Sequence, residues 1–503
     1  MFSRSPRKVD ELAELLGRYG ALRASYDAAR TTDDNANHWA NADTYDADSA
    51  NSREVRGTLV SRSRYEIGNN GYADGIAQTY ATDLIGLGPN LRMQTSSPAF
   101  NSMVEMEWSL WAKASQFRRK FWTMAHAKFS DGEAIAVMRK NPRMAHRIKM
   151  DLVLYECEQC QTPFIPYGVP GYVDGIRFDE FGNAIYYDIL KGHPGAVNSF
   201  HTTLETEQVA ADRVLHWFKM RRPGQHRGVP ECASTLNTGA AARRWREATL
   251  AAAETAAEFS VFLKTQFQPD EIAAVSPMST LDIQKRMMTA LPNGWEATQM
   301  KAEHPSATYE SFHDQLINEQ ARPANMPKNK AKCDSSQYNY ASGRLDHQTY
   351  YAALDVERQD GNELVLDPLF GVWFDLAIVN YGWLGGDPQA IGPGAKSHLW
   401  DWPKHRVADV KSEADSIETR LQSGQVGLHQ VYSDAGLDLE DEIPVMARTY
   451  GLTDDEMRTR LLDVILPPIG SAMPAVAEVT PEDITNDVAA ILQARGANGN
   501  AHK

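Results

Sequence analysis

The chain has 503 residues, of which 42% are hydrophobic and 23% charged, and its formal net charge is −15. Its length exceeds the roughly 250–300 residues at which a single core stops growing, so more than one folding unit is expected, and the apolar share excludes a disordered chain. No run reaches the roughly 18–20 consecutive apolar residues of a bilayer span, and no apolar stretch follows Arg4, Arg7 and Lys8 as a secretory signal would require, so neither is expected. Cys157, Cys160, Cys232 and Cys333 are too few for a disulfide framework and read as reduced thiols of a cytoplasmic compartment. The acidic balance opposes condensation onto nucleic acid, so contact with DNA must be local. Residues 409–503 hold 17 acids against 7 bases, while cations gather at Arg118–Lys120, Arg139–Lys149 and Lys219–Arg227.

In chain order, Leu12, Leu15, Leu16, Tyr19 and Leu22 predict an amphipathic helix over Asp10–Ala29. Thr31–Ser52 has few apolar anchors and reads as an extended arm whose aspartates are solvated. Tyr72, Ile76, Tyr80, Leu84 and Ile85 predict a helix within Glu54–Leu87 that ends at Gly86 and Gly88. Trp108, Trp111 and Trp122 fit helices packed on a core. Glu133–Arg139, Ile148–Tyr155, Val173–Phe178 and Ala184–Ile189 read as strands, the last two a hairpin across Asp179–Asn183.

Alanine-rich Ala240–Leu263, free of Gly and Pro, is the clearest helix, and Ser306–Gln320 is a second. Between them Phe267–Glu303 is broken by three prolines. Arg322–Ser342 is polar and lysine-bearing. Arg344–Tyr381 suggests helices interrupted near Asp360-Gly361-Asn362, and helical pieces lead to a tail beyond Ile491. The class is α+β.

Enzyme chemistry finds little support. Cys157 and Cys160 could give zinc two thiolates, with His193 and His201 as further ligands, but a closed site needs four ligands and there is no second Cys pair. Gly392–Ser397 misplaces the glycine of a phosphate loop and inserts Pro393, and Gly86–Leu91 lacks the third glycine of a dinucleotide fingerprint. No nucleophile elbow or His-Glu-x-x-His pair occurs. No catalytic residue and no cofactor are expected.

One segment is distinctive: Val214-Leu215-His216, then Arg222-Pro223-Gly224-Gln225-His226-Arg227-Gly228-Val229-Pro230. It resembles the signature of lambda-type portal proteins of tailed bacteriophages, which carry Val-x-His and then Arg-Pro-Gly-Gln-x-Arg-Gly-x-Pro. Other landmarks follow the family's order: Tyr72–Gly88, the Asp179–Asn183 hairpin, His193-Pro194, and Asn339-Tyr340-Ala341-Ser342-Gly343-Arg344. The resemblance spans roughly Arg53–Trp383. Arg322–Lys330 departs from the family's Gly-Val-Pro-like turn, and the family does not predict Cys157–Cys160.

The resemblance implies a non-catalytic ring, dodecameric in assembled heads, at one capsid vertex of the virion, assembled in the host cytoplasm. Double-stranded DNA would pass through it without sequence specificity. Its partners would be the major capsid or scaffold protein, the packaging terminase, and then head-completion or tail adaptor proteins, with no membrane. It divides the chain into an N-terminal helix and arm (1–52), a mixed α/β wing (53–238), a first stem helix (239–266), a clip (267–305), a second stem helix (306–322), a tunnel loop (323–342), a wing and tunnel-helix return (343–408) and an acidic helical crown with tail (409–503).

Within that frame Lys328, Lys330 and Lys332, with Gln337, Asn339 and Tyr340, would form a loop beside DNA, the alternative being a solvated loop. His216, Arg222, Gly224, Gln225, Arg227, Pro230 and Arg344 would serve subunit contacts, with Arg222 and Arg227 pairing with a neighbour's acids or, alternatively, with acids of their own chain. Two other readings stay open: a multidomain enzyme, zinc-binding through Cys157 and Cys160, and a virion or adaptor protein that is not a portal.

Overall fold

The computed structural model describes residues 32–465 except 34, 162–170, 198–204, 258–260, 266–294, 300–305, 337, 406–409, 436 and 438. The helix expected at Asp10–Ala29, most of the expected clip, Gln337, His201 and the expected tail lie outside these residues. Helix α1 (Arg53–Asn69) and helix α2 (Gly71–Ile85) replace the single helix expected. Asn70 adopts extended backbone between them, and its side chain accepts from the Tyr72 amide, which is the geometry of an N-cap. As expected, α2 stops at Gly86, whose φ of +57° suits glycine.

Strand β1 (Asn90–Met93) leads to α3 (Pro98–Ala114) and α4 (Phe117–Asp131). Trp108 and Trp111 are buried, whereas Trp122 is only partly so. Strands β2 (Glu133–Lys140) and β3 (Met150–Tyr155) begin the first sheet. A second, four-stranded sheet follows in sequential order: β4 (Tyr172–Val173), β5 (Ile176–Phe178), β6 (Ala184–Leu190) and β7 (Thr206–Ala210). The strand expected over Val173–Phe178 is broken at Asp174–Gly175, both at positive φ. The expected hairpin is present, and Asp179 closes its loop by accepting from the Phe181 and Asn183 amides. Strand β8 (Val214–Phe218) then completes the first sheet in the order β3-β2-β8, all antiparallel.

The alanine-rich helix α5 is Leu236–Ala257, shifted N-terminal to its expected range. Leu263 lies instead in β9 (Val261–Thr265), because this β-branched and aromatic run pairs antiparallel with β10 (Trp295–Gln299). Helix α6 (Ser306–Ala321) packs on α5, with Trp245 stacked on Tyr309 at 4.8 Å. The polar stretch that follows is no simple loop: a 3-10 turn (Arg322–Ala324) precedes α7 (Lys328–Lys332).

Helix α8 (Tyr340–Gly361) runs without a break through a π turn (Asn362–Leu366) into α9 (Asp367–Tyr381). The expected interruption is thus absorbed by a wider turn, where Asn362 accepts from Trp402 Nε1 at 2.9 Å. The Ala341–Tyr381 helix is long and apolar enough to cross a membrane by length and composition. Its apolar residues Leu369, Phe370, Trp373 and Phe374 are nevertheless buried in the main core, with Trp373 5.2 Å from Trp108. Strand β11 (His398–Asp401) returns to pair with β1. Four helices follow: α10 (Val410–Gln422), α11 (Leu428–Asp434), α12 (Leu439–Tyr450) and α13 (Asp454–Ile465); Ile443, Ala447 and Met457 form a small separate apolar cluster among them.

Candidate functional site

The Arg222–Pro230 segment turns inward. Gly224, at φ +74°, makes the turn; the Gln225 side chain accepts from the Arg221 amide at 2.9 Å and donates to the Arg227 carbonyl at 2.9 Å. This closure aims Arg227 into the seam between the two sheets. Its side chain is 1% exposed and faces Glu133, the first residue of β2, which is 0% exposed. Nε lies 3.0 Å from Glu133, Nη1 donates to the Cys160 carbonyl at 2.9 Å, and Nη2 to the Cys157 carbonyl at 3.0 Å.

Glu133 also accepts from the Gly228 amide at 2.8 Å and pairs with His216 Nε2 at 3.1 Å. Arg56 stands 4.0 Å from Glu133 and is ion-paired with Asp174, whose backbone carbonyl accepts from Arg227. A buried ion is tolerated only when every lone pair finds a donor, and here they do. Burial alone would raise the Glu133 carboxyl; the Arg227 charge, with hydrogen bonds from His216 and Arg227, holds it well below the carboxylate range. Burial lowers the His216 imidazole, against the pull of Glu133.

Arg227 thus pairs with Glu133 and Asp174, the alternative in which the motif arginine meets acids of its own chain. A second constraint is steric: a Cβ on Gly228 would lie 2.1 Å from the Gly132 carbonyl oxygen, and one on Gly132 2.2 Å from the Val229 carbonyl carbon. The motif glycine is therefore required by close backbone approach. Pro230 directly precedes the 3-10 turn Glu231–Thr235 that leads into α5.

The arm is corrected. Its end forms a helical turn (Ala47–Ala50) docked on the motif, where Asp48 accepts from the His226 amide at 3.0 Å and sits 2.7 Å from its Nδ1. Asn51 donates to the Arg227 and Gly228 carbonyls, and Arg222 to the Tyr45 carbonyl at 2.9 Å. Arg222 itself remains exposed. A neighbouring network joins the motif to the long helix: fully buried Lys128 is ion-paired with Glu357, which also takes Lys219 at 2.6 Å, while Arg221 is ion-paired with Glu231.

The two cysteines flank this hub as buried thiols. Burial, then the Glu133 and Glu158 charges, push the Cys157 thiol well up, and burial pushes the Cys160 thiol up to about 12. Neither favours the thiolate that zinc requires. His193 lies instead against Glu156 at 3.3 Å and Glu158 at 3.9 Å. Those three side chains are close enough to share a cation, but the Arg64 guanidinium already holds both carboxylates at 3.0 and 2.8 Å.

The lysine stretch is charge-balanced. Lys328 meets Asp314 at 3.2 Å, Lys330 meets Asp83 at 2.5 Å and lies over the Tyr350 ring, and Lys332 meets Asp314 at 3.0 Å and Asp334 at 3.2 Å. Asn339 caps α8 by accepting from the Ala341 amide, and Tyr340 is its first residue. Arg344 lies on the exposed face of α8 and makes no ion pair among the described residues.

Sequence reasoning missed Glu133, Asp174, Asp48, Lys128 and Glu357. The one available signal was a lone charge opening or facing an apolar run, as Glu133 does before Ala-Ile-Ala-Val-Met. Such a charge needs a partner if the strand is buried.

Comparison with known proteins agrees with the motif. The family described as phage portal protein, lambda family, matches residues 33–358, which include the docked arm, the hub and most of α8. The chain is 21% identical over 463 residues, 86% of each sequence, to a probable portal protein of Halomonas phage phiHAP-1. Among solved structures it is similar to a chain of the neck of a native gene transfer agent particle computed with C12 symmetry, covering 75% of this chain and 93% of that one at 16% identity and a TM-score of 0.44. A chain in the virion of a native gene transfer agent particle gives 15% identity, the same coverage and a TM-score of 0.42. With the family matched over well more than half its length, the chain belongs to the lambda family of phage portal proteins.

Proposed function

We propose that this portal protein acts as a closed ring, with about a dozen identical subunits around a DNA passage. Family membership makes it a structural component of the virion's capsid vertex, serving DNA packaging and ejection, and not an enzyme. The observation that carries the reading is the family match over 33–358, whose signature residues build the Glu133–Arg227 hub.

In this reading residues 53–238 and 343–408 form the wing, α5 and α6 the stem, 267–305 the clip, and 409–503 the crown. Small side chains along α5 suit the close approach of many identical helices. The clip would dock terminase during packaging and head-completion or tail adaptor proteins afterwards, and the wing would meet the major capsid or scaffold protein. The 323–342 segment would lie beside the DNA, with lysines already balanced by Asp83 and Asp314, a surface that holds phosphates too weakly to stall them. Exposed Arg222 and Arg344 would face a neighbouring subunit, while His216, Gly224, Gln225, Arg227 and Pro230 hold the surface that carries them.

A nuclease-protection assay on heads assembled with and without the chain tests this. Genome-length DNA should be protected only when the chain is present; equal protection without it would contradict the reading.

A further inference from the structure

The lysines expected beside DNA are neutralised within their own subunit, whereas cations without carboxylate partners are gathered elsewhere. Lys113 at the end of α3 and Arg118 and Arg119 in the first turn of α4 line an open cavity of about 440 Å³, together with Gln116 and Trp122. Two ties fold the tip of the β2–β3 hairpin against this corner. Trp111 Nε1 donates to the Met150 carbonyl at 2.8 Å, and Asp151 binds both Lys120 and, at 2.9 Å, Asn141. Two cationic clusters that are separate in the sequence, Arg118–Lys120 and Arg139–Lys149, therefore share one corner of the fold.

Lys113, Arg119, Lys140 and Arg143 are exposed and form no ion pair among the described residues. Arg118 donates only to the Gly86 carbonyl at 3.1 Å, and Arg147 lies 4.6 Å from the Tyr381 ring centroid. By contrast, Lys328, Lys330 and Lys332 are each ion-paired within the chain. A corner whose exposed cations outnumber its counter-charges, with Lys120 held by Asp151 and Arg139 by Glu207 but the others without an ion pair among the described residues, is held at an electrostatic cost and is complementary to a polyanion. Arginine forks match phosphate oxygens, and lysine adds point charge.

We propose that this α3–α4 corner, with the adjoining β2–β3 tip, is a sequence-blind binding face for the phosphate backbone of double-stranded DNA, separate from the lysine stretch. It rests on the portal reading for its cargo. The occupant is argued from charge complementarity: three of the six lining residues, Lys113, Arg118 and Arg119, are cations and none is acidic, with Ala112, Gln116 and Trp122 completing the lining, and an acidic protein segment is the outcome the test separates.

The test is fluorescence anisotropy of a duplex of about 30 base pairs on the full chain, titrated across salt, with poly-glutamate as a competing anion. The variant K113Q/R119Q/K140Q/R143Q changes only exposed side chains. Each lost phosphate contact lowers the slope of log K against log salt by about 0.9, so a fall of about 2 to 4 is expected. The control K328Q/K330Q/K332Q should leave the slope unchanged.

An unchanged slope in the first variant overturns the proposal, as does a slope lost only in the control. Loss of poly-glutamate binding with DNA binding intact also overturns it and points to an acidic protein segment. Electron microscopy of the same samples separates the two readings. Rings with an unchanged slope sink this inference alone, whereas a reduced slope without rings sinks the ring reading and leaves the face standing.

Discussion

Replacing Arg227 with Met keeps the length of the side chain and removes its charge and all its donors. The Glu133 carboxylate, 0% exposed, loses its main counter-charge, and the carbonyls of Cys157, Cys160 and Asp174 each lose a donor. Breaking a buried ion pair from one side costs about 3–5 kcal/mol. Some compensation survives here: the Gly228 amide at 2.8 Å, His216 Nε2 at 3.1 Å and the more distant Arg56 still face Glu133. The expected loss is therefore near the lower end, about 3 kcal/mol. The double variant E133Q/R227M should lose clearly less than the sum of its singles, because removing both charges leaves neither stranded. Urea denaturation followed by tryptophan fluorescence reads these values, with Trp217 on the adjoining strand as a reporter. A loss below about 1 kcal/mol for R227M, or strict additivity in the double, would refute the claim that the motif arginine acts by neutralising a buried carboxylate.

Three further outcomes are expected. His216 has a folded-state pKa below its usual value, so the stability this gives is fully present above about pH 6.5 and is lost as the pH falls towards the folded value. H216Q should flatten that part of the stability profile, and an unchanged profile would assign the decline to other groups. Gly228→Ala would place a Cβ 2.1 Å from the Gly132 carbonyl oxygen, so it should cost more than the about 1–3 kcal/mol of ordinary overpacking; soluble protein with an unchanged melting curve would contradict this. Of the four thiols, exposed Cys333 should react with a disulfide reagent in the native state, whereas Cys157 and Cys160 should react only on unfolding. Stoichiometric zinc in the purified protein would contradict that reading of the pair.

The strand and helix periods were legible where local pattern and tertiary setting agree: Gly86 ends its helix, the Asp179–Asn183 hairpin closes on its own aspartate, and Ser306–Gln320 differs from α6 by one residue. Elsewhere tertiary context prevailed. The Val261–Thr265 run continued an alanine-rich helix in the sequence, yet its cross-strand partner is the Trp295–Gln299 strand, well beyond local reach, and local propensity cannot encode that pairing. Asp360-Gly361-Asn362 looked like a break, but the core leaves no room for one. The helix instead passes through a π turn with Val365 and Leu366 buried, and Gly361 packs where a Cβ would lie 3.3 Å from Trp217. The motif itself was visible, but its mechanism was not, because the partner of Arg227 lies 94 residues earlier at the head of a strand. The same blindness applied to the lysine stretch, which read as free positive charge until Asp83 and Asp314 were placed beside it.

The portal account is tested most directly by negative-stain electron microscopy of the purified chain, with its solution mass measured on the same sample. The account predicts rings with a stain-filled centre and a mass near a dozen subunits. A monodisperse monomer that stays monomeric when mixed with its capsid and scaffold proteins would contradict it.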